Sequence, residues 1–593
     1  MSIIDLSIIA LYLIFALFVG SRFVRKASTG VESFFVGGRK LRWWVAGTSM
    51  VATTFAADTP LAVTGIVAAD GISGNWIWWC WAIAHVVATF FFAQLWRRSG
   101  VITDAEIVEL RYGGRPAAAL RGFKAIYFGI FVNCLTMAWV IAAMVKISRA
   151  FFDVSPGLVI TVCIGVSVMY TTLGGFRGVV ITDFVQFGLG MAGALILAFL
   201  VVGRMGGIGE LPVAGEGGSG LMGAVAESVQ EIGGRTAEDV LGYVPTRDHP
   251  SIPWVYLGVL LIVGWWRYAE GLGYIVQRLA ACRNAAEAQA ASLWFAVAHN
   301  ALRPWPWILV ALSAMVLYPD LQDSEMGYPL MMRDMLPTGV LGLVVASLLA
   351  AFMSTIDTHT NWGASYLVRD VYQRFLVRDA SPRHYVTVSR ICILLMAILA
   401  GIAALYIHNI AAVWRFLIAL GAGLGSVAAA RWYWPRVTVH AEFAALGITT
   451  VLAVGLEVFC TPLLFGGPNK FFMFEVAGWL KIVLIAGASL ATWIPVALLG
   501  PKNDPEVLAK FARKVRPPGP TWRRYLGDEN ETEPFGPIVL KFIAGLWIVY
   551  GTLFGIGDLI FGRPLRGVVF VAIAMTLLFW IAKSRSGDSD QLA

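Results

Sequence analysis

One stretch of this 593-residue sequence concentrates oxygen-bearing side chains inside an apolar run. Within seven positions it carries Ser354, Thr355, Asp357, Thr358 and Thr360. Ser354, Asp357 and Thr358 have the spacing i, i+3, i+4, which places them on one face of a helix. A serine–threonine pair in a membrane helix is more often bonded back to its own backbone carbonyls. The added aspartate favours a different interpretation, a lining for a hard cation, because such ions prefer oxygen ligands.

Several other ionisable residues interrupt apolar runs. A charged side chain inside a bilayer costs several kcal/mol, so each is a candidate functional residue. Asp183 follows Arg177 by six residues, about 9 Å along a helix, and Asp357 precedes Arg369 by twelve, about 18 Å. Both carboxylates are therefore expected in the inner half of the membrane, on different helices. The full set is Asp58, Asp183, Arg267, Glu270, Arg303 and Asp357.

The composition indicates that membrane helices position these residues. Hydrophobic residues make up 58% of the chain and charged residues 14%, against about 25% charged in soluble proteins. This excludes a soluble enzyme, a disulfide scaffold and a nucleic-acid module. The net charge of +8 needs no nucleic-acid partner, because loops of membrane proteins collect lysine and arginine. The six cysteines show no CxxC spacing and are interpreted as small buried hydrophobes.

Fifteen segments are apolar and long enough to be considered as transmembrane spans, which need about 20 residues. They are numbered here as spans one to fifteen. Their predicted bounds are 3–20, 43–66, 75–96, 122–148, 157–172, 178–203, 252–274, 290–317, 337–366, 386–408, 410–430, 441–460, 474–499, 537–558 and 566–582.

The charges of the loops predict the orientation. Loop 21–42 has six basic residues and one acid, and residues 513–524 form another basic run. Loop 204–251 has seven acids, three bases and eleven glycines, with a short helix predicted at 221–231. Because lysine and arginine collect in cytoplasmic loops, we expect a cell-membrane protein with its N-terminus outside and its C-terminus in the cytoplasm. No basic residue precedes span one, which is atypical of a cleaved signal peptide.

Spans two and seven contain residues that break helices. Pro60 lies beside Asp58 in span two, and span seven contains Gly264, Gly271 and Gly273. Ordinary kinked helices with charges reaching to the interface are the alternative interpretation. However, each of the two spans opens a group of five, and interrupted helices at corresponding positions are typical of inverted-repeat transporters with a site at the midplane.

The chain resembles the sodium:solute symporter family, which has the LeuT-type fold. The resemblance covers roughly residues 5–435 and rests on the order of several short motifs. It implies an all-α polytopic membrane protein with a 5+5 inverted repeat, one additional N-terminal helix and about four additional C-terminal helices. The motifs are SFFVGGRKLRWW at 33–44, GTS at 47–49, ELRYG at 109–113, GGFR at 174–177, TDFVQ at 182–186, YIVQRLAA at 274–281 and MST at 353–355.

This organisation predicts seven segments. The two repeats are expected at 43–203 and 252–435, joined by the glycine-rich external loop. The remaining segments are an N-terminal span with its loop at 1–42, the external loop at 204–251, additional helices at 436–500, a cytoplasmic loop at 501–536, and a C-terminal hairpin and tail at 537–593.

The resemblance implies a sodium site between spans two and nine. Its ligands would be the main-chain carbonyls of Ala52, Phe55 and Ala351 with the hydroxyls of Ser354 and Thr355. Carbonyls and hydroxyls together make a neutral oxygen cage, which carries no side-chain charge to favour a divalent ion.

Some members of the family have a second sodium site, whose positions correspond to Asp183, Ser354, Asp357 and Thr358. Asp357 departs from the usual hydroxyl. If Asp183 and Asp357 lie close together, both cannot easily be ionised without a cation between them. Either a second sodium ion or a shared proton would relieve the repulsion.

For the solute, the resemblance places Asp58 and Thr59 facing the substrate and Tyr268 at an aromatic inner gate beneath it. Arg267 and Glu270 are one helical turn apart, so one interpretation is that they pair with each other. In the other, Arg267 holds a carboxylate and Asp58 an amine, which suggests a zwitterion such as an amino acid.

The predicted function is sodium-coupled import of a small polar organic solute, of amino acid, sugar or osmolyte type, by alternating access. The alternatives are a transporter-like sensor domain and a proton-coupled symporter that uses Asp183 and Asp357. No catalytic motif such as HExxH occurs among the seven histidines, so an enzyme is not expected. Sodium is the only expected cofactor, and the expected partners are the bilayer and the solute, without nucleic acid or an obligatory protein partner.

Overall fold

The computed structural model describes residues 1–27, 31–210, 218–232, 236–407, 409–460, 476–526 and 534–590. Within these ranges the chain is helical, and the only β-pairing recorded is one isolated bridge between Leu41 and Cys282. Parts of loops 21–42, 204–251 and 500–536, and the edges of predicted spans ten and thirteen, lie outside the described residues.

Eleven helices in the described part of the chain are long and apolar enough to cross a membrane. They correspond to spans three, four, six and eight to fifteen. Their bounds are Ile72–Ser99, Gly114–Phe151, Gly175–Arg204, Ala285–Leu317, Val340–Leu376, Pro382–Ala404, Ile410–Tyr433, Val439–Glu457, Gly478–Leu499, Phe535–Ile560 and Pro564–Ser584.

The other four predicted spans are helical but shorter or broken. Span one is part of the helix Ile3–Ala27, whose apolar part is Ile3–Val19. Span five, Pro156–Met169, continues into span six, and a residue with a positive φ of 55°, Gly175, separates the two helices. Spans two and seven are interrupted.

Span two consists of two helices, Trp43–Thr54 and Asp58–Asp70, whose axes differ by 58°. Pro60 is the third residue of the second helix. At that position its missing N–H costs no helical hydrogen bond, whereas its ring prevents the helix from continuing backward through Ala56. The interruption predicted from Pro60 is therefore confirmed, and Phe55 marks the end of the first helix.

Span seven is interrupted over a longer stretch. Helix Trp254–Val259 is followed by a π-helical turn and then by a short 3₁₀ turn, Trp266–Tyr268. The chain becomes helical again at Tyr274–Ala281. Gly271 and Gly273 have φ values of +76° and +59°, which L-residues with a side chain rarely adopt. The predicted end of this span at residue 274 is wrong, because the chain there enters its second helical half.

Two sets of contacts hold span seven against span eleven and span one against span nine. In span eleven, glycines let the broken segment of span seven approach closely: a Cβ on Gly425 would lie 1.9 Å from the carbonyl oxygen of Trp266. In span one, Asp5 Oδ1 accepts the backbone N–H groups of Gly339 and Gly342, at 2.7 and 2.9 Å. Asp5 thus satisfies free donors at the start of span nine.

The two longest loops also contain helices. Gly220–Ile232 confirms the short helix predicted at 221–231, and a second short helix follows at Ala237–Leu241. The described part of the loop before span fourteen includes the helix Pro505–Val515.

Candidate functional site

The break in span two lies against the hydroxyl-bearing face of span nine. Thr355 Oγ1 donates to the carbonyl oxygen of Thr53 at 2.8 Å and to that of Ala351 at 3.1 Å. Ala52 and Phe55 flank Thr53 in the same stretch, and both are buried. The structure therefore brings together the two chain segments that carry all five predicted sodium ligands.

These two segments offer neutral oxygen atoms. Ser354 and Thr355 are buried, and the end of the first helix of span two adds main-chain carbonyls. Nowhere in the described part of the chain do three or more His, Cys, Asp or Glu side chains form a group that could hold a metal ion. The donor set thus fits a monovalent hard cation better than a transition metal.

Asp183 of span six joins this region through two short hydrogen bonds. Its Oδ1 accepts from Ser354 and its Oδ2 from Ser49, each at 2.5 Å. The carboxylate is fully buried. Spans two, six and nine are therefore linked at one buried carboxylate.

A buried arginine supplies positive charge at the predicted second cation site. Arg278 Nη2 donates to Thr358 at 2.7 Å and lies 3.6 Å from Asp183 Oδ2, while its Nε donates to Ser49 at 3.2 Å. Thr358 also shares a hydrogen bond of 3.0 Å with Thr53. The charge of Asp183 is thus balanced by the chain itself. This role was missed in the sequence, although Arg278 stands in the YIVQRLAA motif.

The surroundings of Asp357 differ from those of Asp183. Its Oδ1 accepts from Thr171 at 2.6 Å, whereas its Oδ2 is buried without a hydrogen-bond partner among the described residues. No cationic side chain of the described residues lies within 4 Å of it. Of the two predicted carboxylates, Asp183 has a counter-charge, whereas Asp357 has none among the described residues.

Next to the cage lies a cavity that we call the aromatic cavity. Thr53 and Thr355 line it, so the cavity and the predicted sodium site share a wall. Of the predicted solute residues, Asp58, Thr59, Arg267 and Tyr268 line this cavity and Glu270 does not. Most of the remaining wall is aromatic, formed by Trp78, Trp81, His85, Trp139, Tyr274, His299, His359, Trp362 and Trp414.

The predicted pairing between Arg267 and Glu270 is wrong. Glu270 accepts from Arg431 at 2.7 Å and from the Trp432 indole at 2.5 Å, whereas Arg267 Nη1 donates to the carbonyl oxygen of Leu417 at 3.0 Å. The pairing assumed helical spacing, but the chain leaves the helix between these two residues.

Glu270 belongs instead to a second cavity, the charged cavity, which Arg267 also lines. Four of its acids and bases form a network. Arg431 bonds Glu270 and Glu442, and Lys124 bonds Glu442 at 3.0 Å. Burial raises the pKa of Asp104, which accepts the Gly273 N–H. The ionisable residues of this cavity are Asp104, Lys124, Arg267, Glu270, Arg431 and Glu442.

Arg303 is the other charged residue of the aromatic cavity. It lies one turn after His299 in span eight and is 1% exposed. The sequence marks Arg303 as a charge inside a membrane span but gives it no role, because its surroundings come from other helices.

Comparison with known proteins identifies the family. The family model described as "Sodium:solute symporter family" matches residues 34–448. The chain belongs to this family. A sodium/glucose cotransporter of Vibrio parahaemolyticus is 24% identical over 536 residues, covering 83% of this chain and 91% of the relative. Sodium/glucose cotransporter 4 of Danio rerio is 24% identical over 498 residues, covering 78% of this chain and 73% of the relative.

A solved structure shows the same fold. It is a Na⁺-coupled sialic acid symporter in a substrate-bound, outward-open state, with a TM-score of 0.67 and 19% identity, covering 85% of this chain and 99% of that chain. The predicted all-α, LeuT-type fold is confirmed. The matched relatives of this family member are transporters, in agreement with the prediction that it is not an enzyme.

Proposed function

We propose that this family member is a sodium-coupled symporter that imports a small polar organic solute by alternating access. The observation that carries the proposal is the hydrogen bond between Thr355 of span nine and the carbonyl of Thr53 at the break of span two. It holds hydroxyl groups and main-chain carbonyl groups together at a buried place beside a cavity. That is the chemistry a sodium ion requires.

In this proposal, sodium is held by the carbonyls of Ala52, Phe55 and Ala351 and by the hydroxyls of Ser354 and Thr355. These ligands come from two helices, so an ion between them draws span two toward span nine. Because Thr53 and Thr355 also line the aromatic cavity, holding this contact orders one wall of the solute site. Sodium thereby raises the affinity for solute, and solute raises the affinity for sodium.

The available energy is sufficient for accumulation. One charge moving across 100 mV supplies about 2.3 kcal/mol, which corresponds to more than tenfold accumulation of a neutral solute.

Coupling to a second cation is supported by Asp357. Its buried Oδ2 has no hydrogen-bond partner among the described residues, and Arg278 balances Asp183 rather than Asp357. A second sodium ion or a proton at Asp357 would remove an unbalanced buried charge, with Thr358 one residue away on the same helix. Proton coupling is therefore the second candidate mechanism.

The placement in the membrane completes the proposal. We assign the protein to the plasma or inner membrane, and the loop charges favour an N-terminus outside and a C-terminus in the cytoplasm. In that orientation the repeats 43–203 and 252–435 lie in opposite senses across the membrane, as alternating access between two inverted repeats requires.

Direct binding of ²²Na⁺ to the purified protein tests the proposal. Thr355→Val removes one ligand hydroxyl and keeps the volume of the side chain, so sodium affinity should fall at least tenfold. Thr360→Val is the matched control, because among the described residues Thr360 bonds carbonyls of its own helix, and its replacement should leave affinity unchanged. Wild-type protein without saturable sodium binding, or equal affinity in both variants, would refute the proposed site.

A further inference from the structure

Two opposite charges face the aromatic cavity without pairing with each other. Asp58 begins the second helix of span two and is 2% exposed. Its Oδ1 has no hydrogen-bond partner among the described residues. No cationic side chain lies within 4 Å of its carboxylate in the part of the chain that the structure describes. A positively charged partner would stabilise a buried carboxylate in this state.

Arg303 carries the opposite charge on the wall of the same cavity. Its guanidinium donates to the carbonyl oxygen of His299 at 3.1 Å, to His299 Nδ1 at 2.6 Å and to the Thr54 hydroxyl at 3.2 Å. All of these acceptors belong to neutral groups or to an imidazole. Among the described residues no carboxylate lies within 4 Å of it, and it packs against the ring of Trp307 at 5.3 Å. The planar fork of an arginine matches a carboxylate.

The third charge on the cavity wall, Arg267, is shared with the charged cavity, and its Nε is buried without a hydrogen-bond partner among the described residues. The charged cavity is lined by three acidic and three basic side chains, Arg267 included. That cavity is therefore neutral as a set. The charged residues that line the aromatic cavity and not the charged cavity are Asp58 and Arg303, one of each sign.

The rest of the cavity wall suits an apolar group. The ring of Trp81 lies 5.3 Å from that of Tyr268 and 6.0 Å from that of Trp414, and all three residues line the cavity. Large aromatic surfaces bind apolar side chains through contact area. A sugar carries no charge and would form an ion pair with neither Asp58 nor Arg303.

We propose that the solute is a zwitterionic α-amino acid with an apolar side chain. Its carboxylate binds Arg303, its ammonium group binds Asp58, and its side chain packs against Trp81, Tyr268 and Trp414. This rests on the proposed function, because it names the solute of the same site. Arg303, rather than Arg267, is the residue that receives the carboxylate.

The first experiment follows the thermal stability of the full-length purified protein in sodium or potassium chloride. The probes are L-phenylalanine and L-leucine, with L-phenylalaninamide, phenylacetate and D-glucose for comparison. The amide lacks the carboxylate and phenylacetate lacks the amine. At least one amino acid should raise the melting temperature in sodium, and the two analogues should need at least tenfold higher concentrations.

The second experiment uses variants. Arg303→Gln and Asp58→Asn should each weaken the response to the amino acid at least tenfold, while ²²Na⁺ binding shows that each variant is folded. Arg333→Gln is the control, because Arg333 is about half exposed and pairs with Asp334 away from the cavity. It should respond as the wild type does.

The outcomes separate this inference from the proposed function. Sodium binding with a response to D-glucose but to neither amino acid would overturn the inference and leave symport standing. A response to amino acids that is equal in potassium would uphold the inference and overturn sodium coupling. An undiminished response in both Arg303→Gln and Asp58→Asn would also overturn the inference.

Discussion

Replacing Gly425 by alanine tests whether the broken segment of span seven rests on span eleven. A Cβ at this position would lie 1.9 Å from the carbonyl oxygen of Trp266 and 2.9 Å from its Cβ. The first contact is with backbone, which cannot rotate away as a side chain can. Either span eleven or the segment that carries Arg267 and Tyr268 must move by more than 1 Å.

The magnitude follows from two opposing terms. Overpacking a core costs roughly 1–3 kcal/mol, and a backbone clash lies at the upper end of that range. Alanine in place of glycine inside a helix stabilises the helix by about 1 kcal/mol. A net destabilisation of about 2 kcal/mol remains, and if unfolding relieves the strain, the unfolding rate rises about 30-fold.

The assay is the half-life of folded, monodisperse protein at a fixed temperature, because large membrane proteins often unfold irreversibly. Gly447→Ala is the matched control: Gly447 is also in a membrane helix, but its Cβ would contact nothing within 4 Å. Its half-life should equal or exceed that of the wild type. Equal half-lives for Gly425→Ala and wild type would refute the close contact.

Two further predictions concern single carboxylates. Asp357→Asn should lower the Hill coefficient for sodium or remove acid-side pH dependence of transport, and a variant unchanged in both would exclude Asp357 from coupling. Glu109 pairs with Arg121 and Arg374; burial alone would raise its pKa, but these partners hold it below the ordinary value. The stabilisation that Glu109 provides is therefore present at neutral pH and lost in acid. Glu109→Gln should shorten the half-life at pH 7, and its effect should shrink as the pH falls through the acidic range.

The positions of the membrane helices could be predicted from the sequence because the bilayer imposes a length and a composition on each of them. The break in span two was predictable for a similar reason, since Pro60 acts on its own neighbours. The end of span seven could not be predicted, because the run of apolar residues continues past the break into Tyr274–Ala281.

The contacts within the site depend on residues far apart in the chain, and this limited the sequence prediction. Glu270 pairs with Arg431, 161 positions away, so its pairing with the nearby Arg267 was wrong. Arg278 approaches Asp183 because span six and the second half of span seven both pack against the first helix of span two. Ser354 and Thr355 are adjacent and bond different helices: Ser354 donates to Asp183 of span six, and Thr355 donates to the Thr53 carbonyl of span two. Adjacent residues do not share a helix face, so spacing alone could not assign their partners.

The hydrogen bonds that join span two to spans six and nine have a consequence for ion leak. Thr53 bonds Thr355, and Ser49 and Ser354 bond the same carboxylate of Asp183. If span two moves away from span nine, these bonds break in the same movement that separates the proposed carbonyl ligands from the hydroxyls. A sodium ion therefore cannot pass while the carbonyl and hydroxyl ligands remain together. The sodium current measured without any solute would therefore report how often these helices part on their own.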